Sequence, residues 1–160
     1  SIRICVESLP RLLKKLDSLE YREAMSKACL LAGYAFSQTR TSAAHALSYP
    51  LTLFHDIPHG FACSITLGPI FDYNIAKSQT GLIEVLDIFQ NRYGNKNSSF
   101  HDCYKLFLED CEVFSKLSEY GVKQADIPRL VDNAFHPDRF NNMLYELSLE
   151  QVKDIYHSVL

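Results

Sequence analysis

The sequence predicts an all-α fold, a bundle-like packing of helices. Three observations point there. Apolar residues recur at spacings of three and four along most of the chain, strand-period alternation is sustained nowhere, and neither G-x-G-x-x-G nor alternation of strands with helices marks a nucleotide-binding α/β unit. With 160 residues and 47% apolar content the chain is long enough to bury a core. It contains no internal repeat, low-complexity run or linker, so a single helical domain over residues 1–160 is expected.

The elements follow in order. Residues 2 to about 16 are amphipathic, with an interruption expected near Pro10, and residues 20 to about 38 carry Ala24, Ala28, Leu31 and Ala35 at helical spacing. These two helices are expected to form an antiparallel pair. A third helix spans 42 to about 54, with Thr41 or Ser42 as its N-cap. It must stop at His55-Asp56-Ile57-Pro58, because Pro58 lacks an N–H, disfavours helix at Ile57 and suits the first position of a new helix. The next helix runs from His59 to about 76, and Gly68-Pro69 should kink or divide it. Residues 82 to 89 and 100 to 117 give two more, separated by a polar loop over 91–99 that holds Gly94 and three asparagines. Residues 127 to about 135 open on Asp126 before Ile127-Pro128. Residues 148 to 157 open on Ser148, three before Gln151, the pattern of a capping box.

Composition excludes several functions. The net charge of −3, with both signs interspersed, leaves no basic patch for nucleic acid or an anionic membrane surface. No apolar run approaches the roughly 18 residues of a membrane span, and no signal sequence opens the chain, so a cytoplasmic protein is expected. The five cysteines are odd in number and form no C-x-x-C, which fits reduced thiols better than disulfides or a zinc knuckle.

Chemistry concentrates between residues 41 and 71, where Asp56 is the only formally charged residue. Two histidines, His45 and His59, stand fourteen positions apart there. Neutral imidazole is a ligand for zinc, iron and other borderline metals. On one unbroken helix the two rings would lie roughly 21 Å apart, too far for one ion, but the turn at Pro58 lets a helix-turn-helix return bring them together. Ala43, Ala44 and Ala46 around His45, and Gly60 after His59, allow close approach of a ligand. His55 is a turn residue, because Pro58 interrupts any helical face shared with His59. His101, His136 and His157 lie in polar surroundings and are expected at the surface.

The strings Ala32-Gly33-Tyr34-Ala35-Phe36-Ser37, His45-Ala46-Leu47-Ser48-Tyr49-Pro50-Leu51 and Ile57-Pro58-His59-Gly60-Phe61-Ala62-Cys63 resemble the iron-dependent (group III) alcohol dehydrogenases. Ala125-Asp126-Ile127-Pro128 and Asn141-Asn142 extend the likeness more weakly. The resemblance implies the helical C-terminal domain of a larger two-domain enzyme, with His45 and His59 as metal ligands. The remaining ligands, an aspartate and a histidine four residues later, belong to a helix before the region that Ser1 matches. NAD(H) or NADP(H) would be bound mainly by an N-terminal nucleotide-binding domain. The implied activity is interconversion of a small alcohol and an aldehyde, in which divalent iron or zinc polarises the substrate oxygen while the nicotinamide exchanges hydride. The 160-residue stretch alone is expected to be inactive. Members of the family form dimers or larger assemblies.

Three further positions carry expectations from the family. Phe36 matches a position near the substrate cavity, and ordinary core on the second helix is its plain alternative. Tyr49 occupies a position where many members carry a second histidine that relays a proton. A phenol, with a reference pKa of about 10, is a poorer relay near neutrality, so Tyr49 either assists proton transfer or shapes the pocket. Arg40 stands in Gln38-Thr39-Arg40-Thr41, where many relatives have a glycine-rich run. A guanidinium beside a helix N-terminus suits an anion, and five helical residues, about 7.5 Å, separate it from His45. Residues 38 to 52 also resemble the phosphonoacetaldehyde reductases of the family. A small anionic aldehyde held by Arg40 is therefore the substrate expected, against the alternative of a surface arginine. Without the resemblance, His45 fits a core histidine and His59 a helix-opening residue, and the chain would be a helical interaction module or a metal-free relative.

Overall fold

The periodic segments become eight α-helices and two short 3-10 turns among the described residues of the computed structural model, which are 1–39, 41–77, 81–134, 143 and 145–160. The helices are α1 (Ile2–Lys14), α2 (Leu19–Phe36), α3 (Ala43–His55), α4 (His59–Lys77), α5 (Leu82–Tyr93), α6 (Phe100–Asp110), α7 (Ile127–Ala134) and α8 (Leu149–Ser158), with the 3-10 turns at Leu117–Tyr120 and Gln124–Asp126. No strand occurs among the described residues, as an all-α fold requires. No helix among them is long and apolar enough to cross a membrane.

Neither Pro10 nor Pro69 divides its helix. Helix α1 runs through Pro10, whose ring is fully buried, so apolar packing offsets the backbone hydrogen bond that proline cannot donate. Helix α4 likewise continues through Pro69 as one element instead of dividing. Helix α5 extends four residues beyond the expected end at Phe89. Its buried Gln90 donates from Nε2 to the Ser98 carbonyl at 2.7 Å and fastens the following loop.

One expected helix is too long. The segment from Phe100 ends at Asp110 and does not reach 117, because Glu112 takes a left-handed conformation (φ 57°). The N–H of Val113 then donates to the Leu108 carbonyl at 2.9 Å and that of Glu112 to the Glu109 carbonyl at 3.0 Å. This is the paired closure of a Schellman motif, formed here without the usual glycine. By contrast, the capping box at α8 is as the sequence predicts: Ser148 Oγ accepts from the Gln151 N–H at 3.2 Å, and Gln151 Oε1 accepts from the Ser148 N–H at 2.8 Å.

The buried side chains form two clusters. The larger joins α3, α4, α7 and α8 through Leu47, Leu51, Ile65, Leu130, Val152 and Tyr156. The smaller joins α1, α5 and α6 around Val6, Phe89, Phe100, Tyr104 and Phe107. Helix α4 is the wall between them, since Leu67 packs against both and Phe71 stacks on Phe100 at 3.8 Å between centroids. Helix α2 packs on α1 and buries only Ala28.

Helices α4 and α6 approach closely where α6 starts. Asp72 accepts from the N–H groups of both Phe100 and His101 at 3.0 Å, and Ser99 Oγ accepts from the Asp102 N–H at 3.0 Å. These bonds satisfy donors that a helix start leaves free, and the carboxylate suits the positive end of the helix dipole. A Cβ at Gly68 would collide with the His101 ring and come within 3.3 Å of its Cα. Gly68→Ala is therefore expected to cost about 1–3 kcal/mol in urea unfolding, and an unchanged midpoint would contradict this packing.

The chain reverses between α3 and α4 at residues 56–58. Asp56 adopts φ 54°, ψ 22°, the left-handed region that aspartate tolerates better than most residues, and Ile57 is buried. Pro58 lies just before the new helix instead of at its first position, and its carbonyl accepts from the Ala62 N–H at 3.0 Å. Replacing Asp56 with glycine should preserve stability, whereas Asp56→Val should lose about 1–2 kcal/mol in the same measurement. Equal midpoints for the two variants would show that the turn does not depend on this conformation.

Candidate metal centre

Helix α3 starts after Ser42, whose carbonyl accepts from the N–H of both His45 (3.1 Å) and Ala46 (3.3 Å). Ser42 occupies the N-cap position, although its side chain makes no capping bond. Ala43, Ala44, Ala46 and Leu47 are buried around His45, and the Tyr156 hydroxyl of α8 donates to the Leu47 carbonyl at 2.8 Å. This buried bond, with Leu51 packed beneath, fixes the turn of α3 that carries His45. His59 opens α4 after the reversal, and α3 and α4 pack together along their lengths.

The reversal brings the two imidazoles to 5.3 Å between ring centroids, at 63° between planes. Cys63, one turn after His59 on α4, joins them: one donor atom each from His45, His59 and Cys63 lie within 4.8 Å of one another. The Cys63 sulfur is 3.7 Å from His59 Nε2 and 3.9 Å from Nδ1. Ser48 of α3 reaches the same ring, its Oγ 3.2 Å from His59 Nδ1. On the outer side, Tyr49, a residue 42% exposed, stacks on His59 at 5.8 Å and 18°. His59 is exposed and His45 half-buried, so the rings sit at the surface end of a buried framework.

The electrostatics suit a cation. Burial lowers the pKa of His45, and the neighbouring His59 lowers it further, favouring the neutral form whose ring nitrogen has a lone pair to donate. Burial raises the Cys63 thiol, which a hydrogen bond with Ser48 partly opposes. A cation there would favour the thiolate, since metal binding displaces the proton. Two imidazoles and a sulfur are a donor set for iron or zinc. The residues present therefore fit such an ion.

The remaining candidates are less tightly gathered. Phe36 ends α2 with 54% of its surface exposed and is not core within this domain. His55 ends α3 at the turn, and His101, expected at the surface, is half-buried on α6 with its ring against Gly68 of α4. His157 Nδ1 is 3.3 Å from Gln124 Nε2. Arg40, His136, Asn141 and Asn142 lie outside the described residues. The cysteines are free; Cys103 and Cys111 are buried, whereas Cys29 is exposed. Sequence reasoning missed Cys63 and Ser48. The signals were spacing alone: Cys63 follows His59 by four and Ser48 follows His45 by three, each pair sharing a helical face.

Known proteins of one family resemble this chain. The model of the C-terminal part of the Fe-containing alcohol dehydrogenase family matches residues 1–160. A sulfoacetaldehyde reductase of Bilophila wadsworthia is 31% identical over 128 residues, 76% of this chain and 33% of that protein. A phosphonoacetaldehyde reductase of Streptomyces viridochromogenes is 36% identical over 76 residues, 48% of this chain and 19% of that one. The crystal structure of sulfoacetaldehyde reductase from Bifidobacterium kashiwanohense in complex with NAD+ superposes with a TM-score of 0.79 at 26% identity, covering 98% of this chain and 41% of that chain. The chain spans about a third of the length of the sulfoacetaldehyde reductase that it matches. The family match over its whole length, on an all-α fold that brings His45 and His59 together, shows that the chain belongs to the Fe-containing alcohol dehydrogenase family, of which it carries the C-terminal domain.

Proposed function

We propose that this chain is the metal- and substrate-binding domain of an NAD(P)-linked enzyme that interconverts a small aldehyde and its alcohol. The observation that carries this proposal is the convergence of His45 and His59, with Cys63, on one point of the α3–α4 surface. A divalent iron or zinc ion held there would act as a Lewis acid on the substrate oxygen, while a nicotinamide bound by an N-terminal domain exchanges hydride with the adjacent carbon. His45 and His59 supply the nitrogen donors, and Tyr49, stacked on His59, forms a wall beside them. Leu53, one turn after Tyr49 on α3, is an exposed apolar residue too, and the nucleotide-binding domain would meet the protein on this side. Residues 1–160 alone are inactive on this proposal, because the nucleotide is held by another domain and the aspartate and histidine that complete the ligand set belong to a preceding helix.

The substrate proposed is a small aldehyde with an acidic group at its far end. Two relatives support it by their names: one acts on a sulfonate-bearing and the other on a phosphonate-bearing aldehyde. Arg40 lies two residues before the N-cap of α3 in sequence, and it is the cation assigned to that acidic group. A guanidinium can hold an oxyanion through two parallel bonds.

Two experiments on the full-length protein test these assignments. His45→Ala or His59→Ala should abolish stoichiometric iron or zinc in elemental analysis and reduce NADH- or NADPH-linked aldehyde reduction by about a thousandfold, several kcal/mol of Lewis-acid stabilisation. Normal metal content and rate in both variants would refute the metal centre. Arg40→Ala should lower kcat/KM for phosphonate- and sulfonate-bearing aldehydes by about 10- to 100-fold, the loss of a charged hydrogen-bonding partner, with neutral aldehydes unaffected. An unchanged ratio between the two classes would remove Arg40 from substrate recognition.

A further inference from the structure

Ser48 is completely buried (0% exposed) one turn beyond His45, yet its hydroxyl faces three groups of the metal centre, the His45 carbonyl, the His59 ring and the Cys63 thiol. It donates to the His45 carbonyl at 2.8 Å, and its oxygen lies 3.2 Å from His59 Nδ1. A serine hydroxyl has one hydrogen to give and two lone pairs to offer. With that hydrogen committed to the shorter contact, Oγ presents lone pairs to His59 and to the neighbouring Cys63 thiol. The complementary partner is an Nδ1–H donor, which leaves the lone pair of the neutral ring on Nε2. Two more side chains touch the His59 ring: Tyr49 stacks on it nearly parallel, at 18°, and the Cys63 sulfur lies 3.7 Å from Nε2 and 3.9 Å from Nδ1.

We propose that Ser48 is a positioning residue that fixes the tautomer and rotation of His59, so that Nε2 is the nitrogen offered to a metal ion. Ser48 touches neither substrate nor metal in this role. Its hydroxyl ties the backbone of α3 at His45 to the side chain that opens α4, and so couples the two ligands through one oxygen. Outer-shell partners of this kind set the orientation and basicity of imidazole ligands. The proposal rests on the metal centre proposed above, and its test separates the two.

Side-chain 15N–1H spectra of the full-length apo protein at about pH 8, where free imidazole is neutral, report which nitrogen of His59 carries hydrogen. Wild type is expected to show Nδ1–H, and Ser48→Ala to lose that single tautomer. Competition with a chromophoric chelator should show zinc affinity reduced roughly 10- to 100-fold in Ser48→Ala, with Ser48→Thr restoring most of it. A purely structural role would lower the apo melting temperature of Ser48→Ala and leave tautomer and affinity unchanged, which would overturn the proposal. Hydrogen on Nε2 in wild type would overturn it too, even if Ser48→Ala failed to fold, and zinc binding would then leave the metal centre standing. Failure of wild type to bind zinc at all would refute the metal centre itself and with it the assignment of Nε2 as ligand.

Discussion

The reversal of the chain at residues 56–58 is the constraint on which the rest of the structure depends. His45 and His59 are fourteen residues apart, and only a tight return of α4 along α3 can bring their rings to 5.3 Å. Three side chains divide the task. Asp56 accepts the left-handed conformation that ends α3, Ile57 is buried and anchors the turn in the core, and Pro58 leads directly into α4. Shifting either helix by one residue would rotate its histidine by about 100° and break the convergence.

The framework beneath the turn is stiff where the site requires it. Leu47, Leu51, Ile57 and Ile65 are fully or almost fully buried, each contributing about 1.5–3 kcal/mol by leaving water. Tyr156 adds a buried hydrogen bond to the backbone next to Ser48, and its own ionisation is strongly disfavoured by burial. Helix α4 gains a second support on its far side, where Asp72 caps α6 and Phe71 stacks on Phe100. The imidazoles therefore stand on helices held from two cores while their own edges stay accessible.

Much of this was legible in the sequence, for physical reasons that differ from residue to residue. The 3.6-residue period marked most helices, the Ser148/Gln151 box is local chemistry, and the proline-marked turn between two histidines foretold that their rings converge. What sequence hid was decided by tertiary contact. Pro10 and Pro69 signal breaks in isolation, but both lie within continuous helices, and Pro10 is fully buried there. The end of α6 is closed by a left-handed Glu112, and glutamate at that position has none of glycine's punctuation. Ser48 and Cys63 read as ordinary helix residues until the reversal places them against His59. Arg40 is the opposite case: its place in the sequence suggests a role, and it lies outside the described residues.

The most direct measurement of the central claim is anomalous diffraction from crystals of the full-length protein grown with zinc, collected on both sides of the zinc edge. A single zinc peak about 2.0–2.1 Å from a ring nitrogen of His45 and from Nε2 of His59 is the expected result. A peak that touches only one of these rings, or that lies elsewhere on the molecule, would contradict the claim that the α3–α4 reversal exists to bring two imidazoles to one ion.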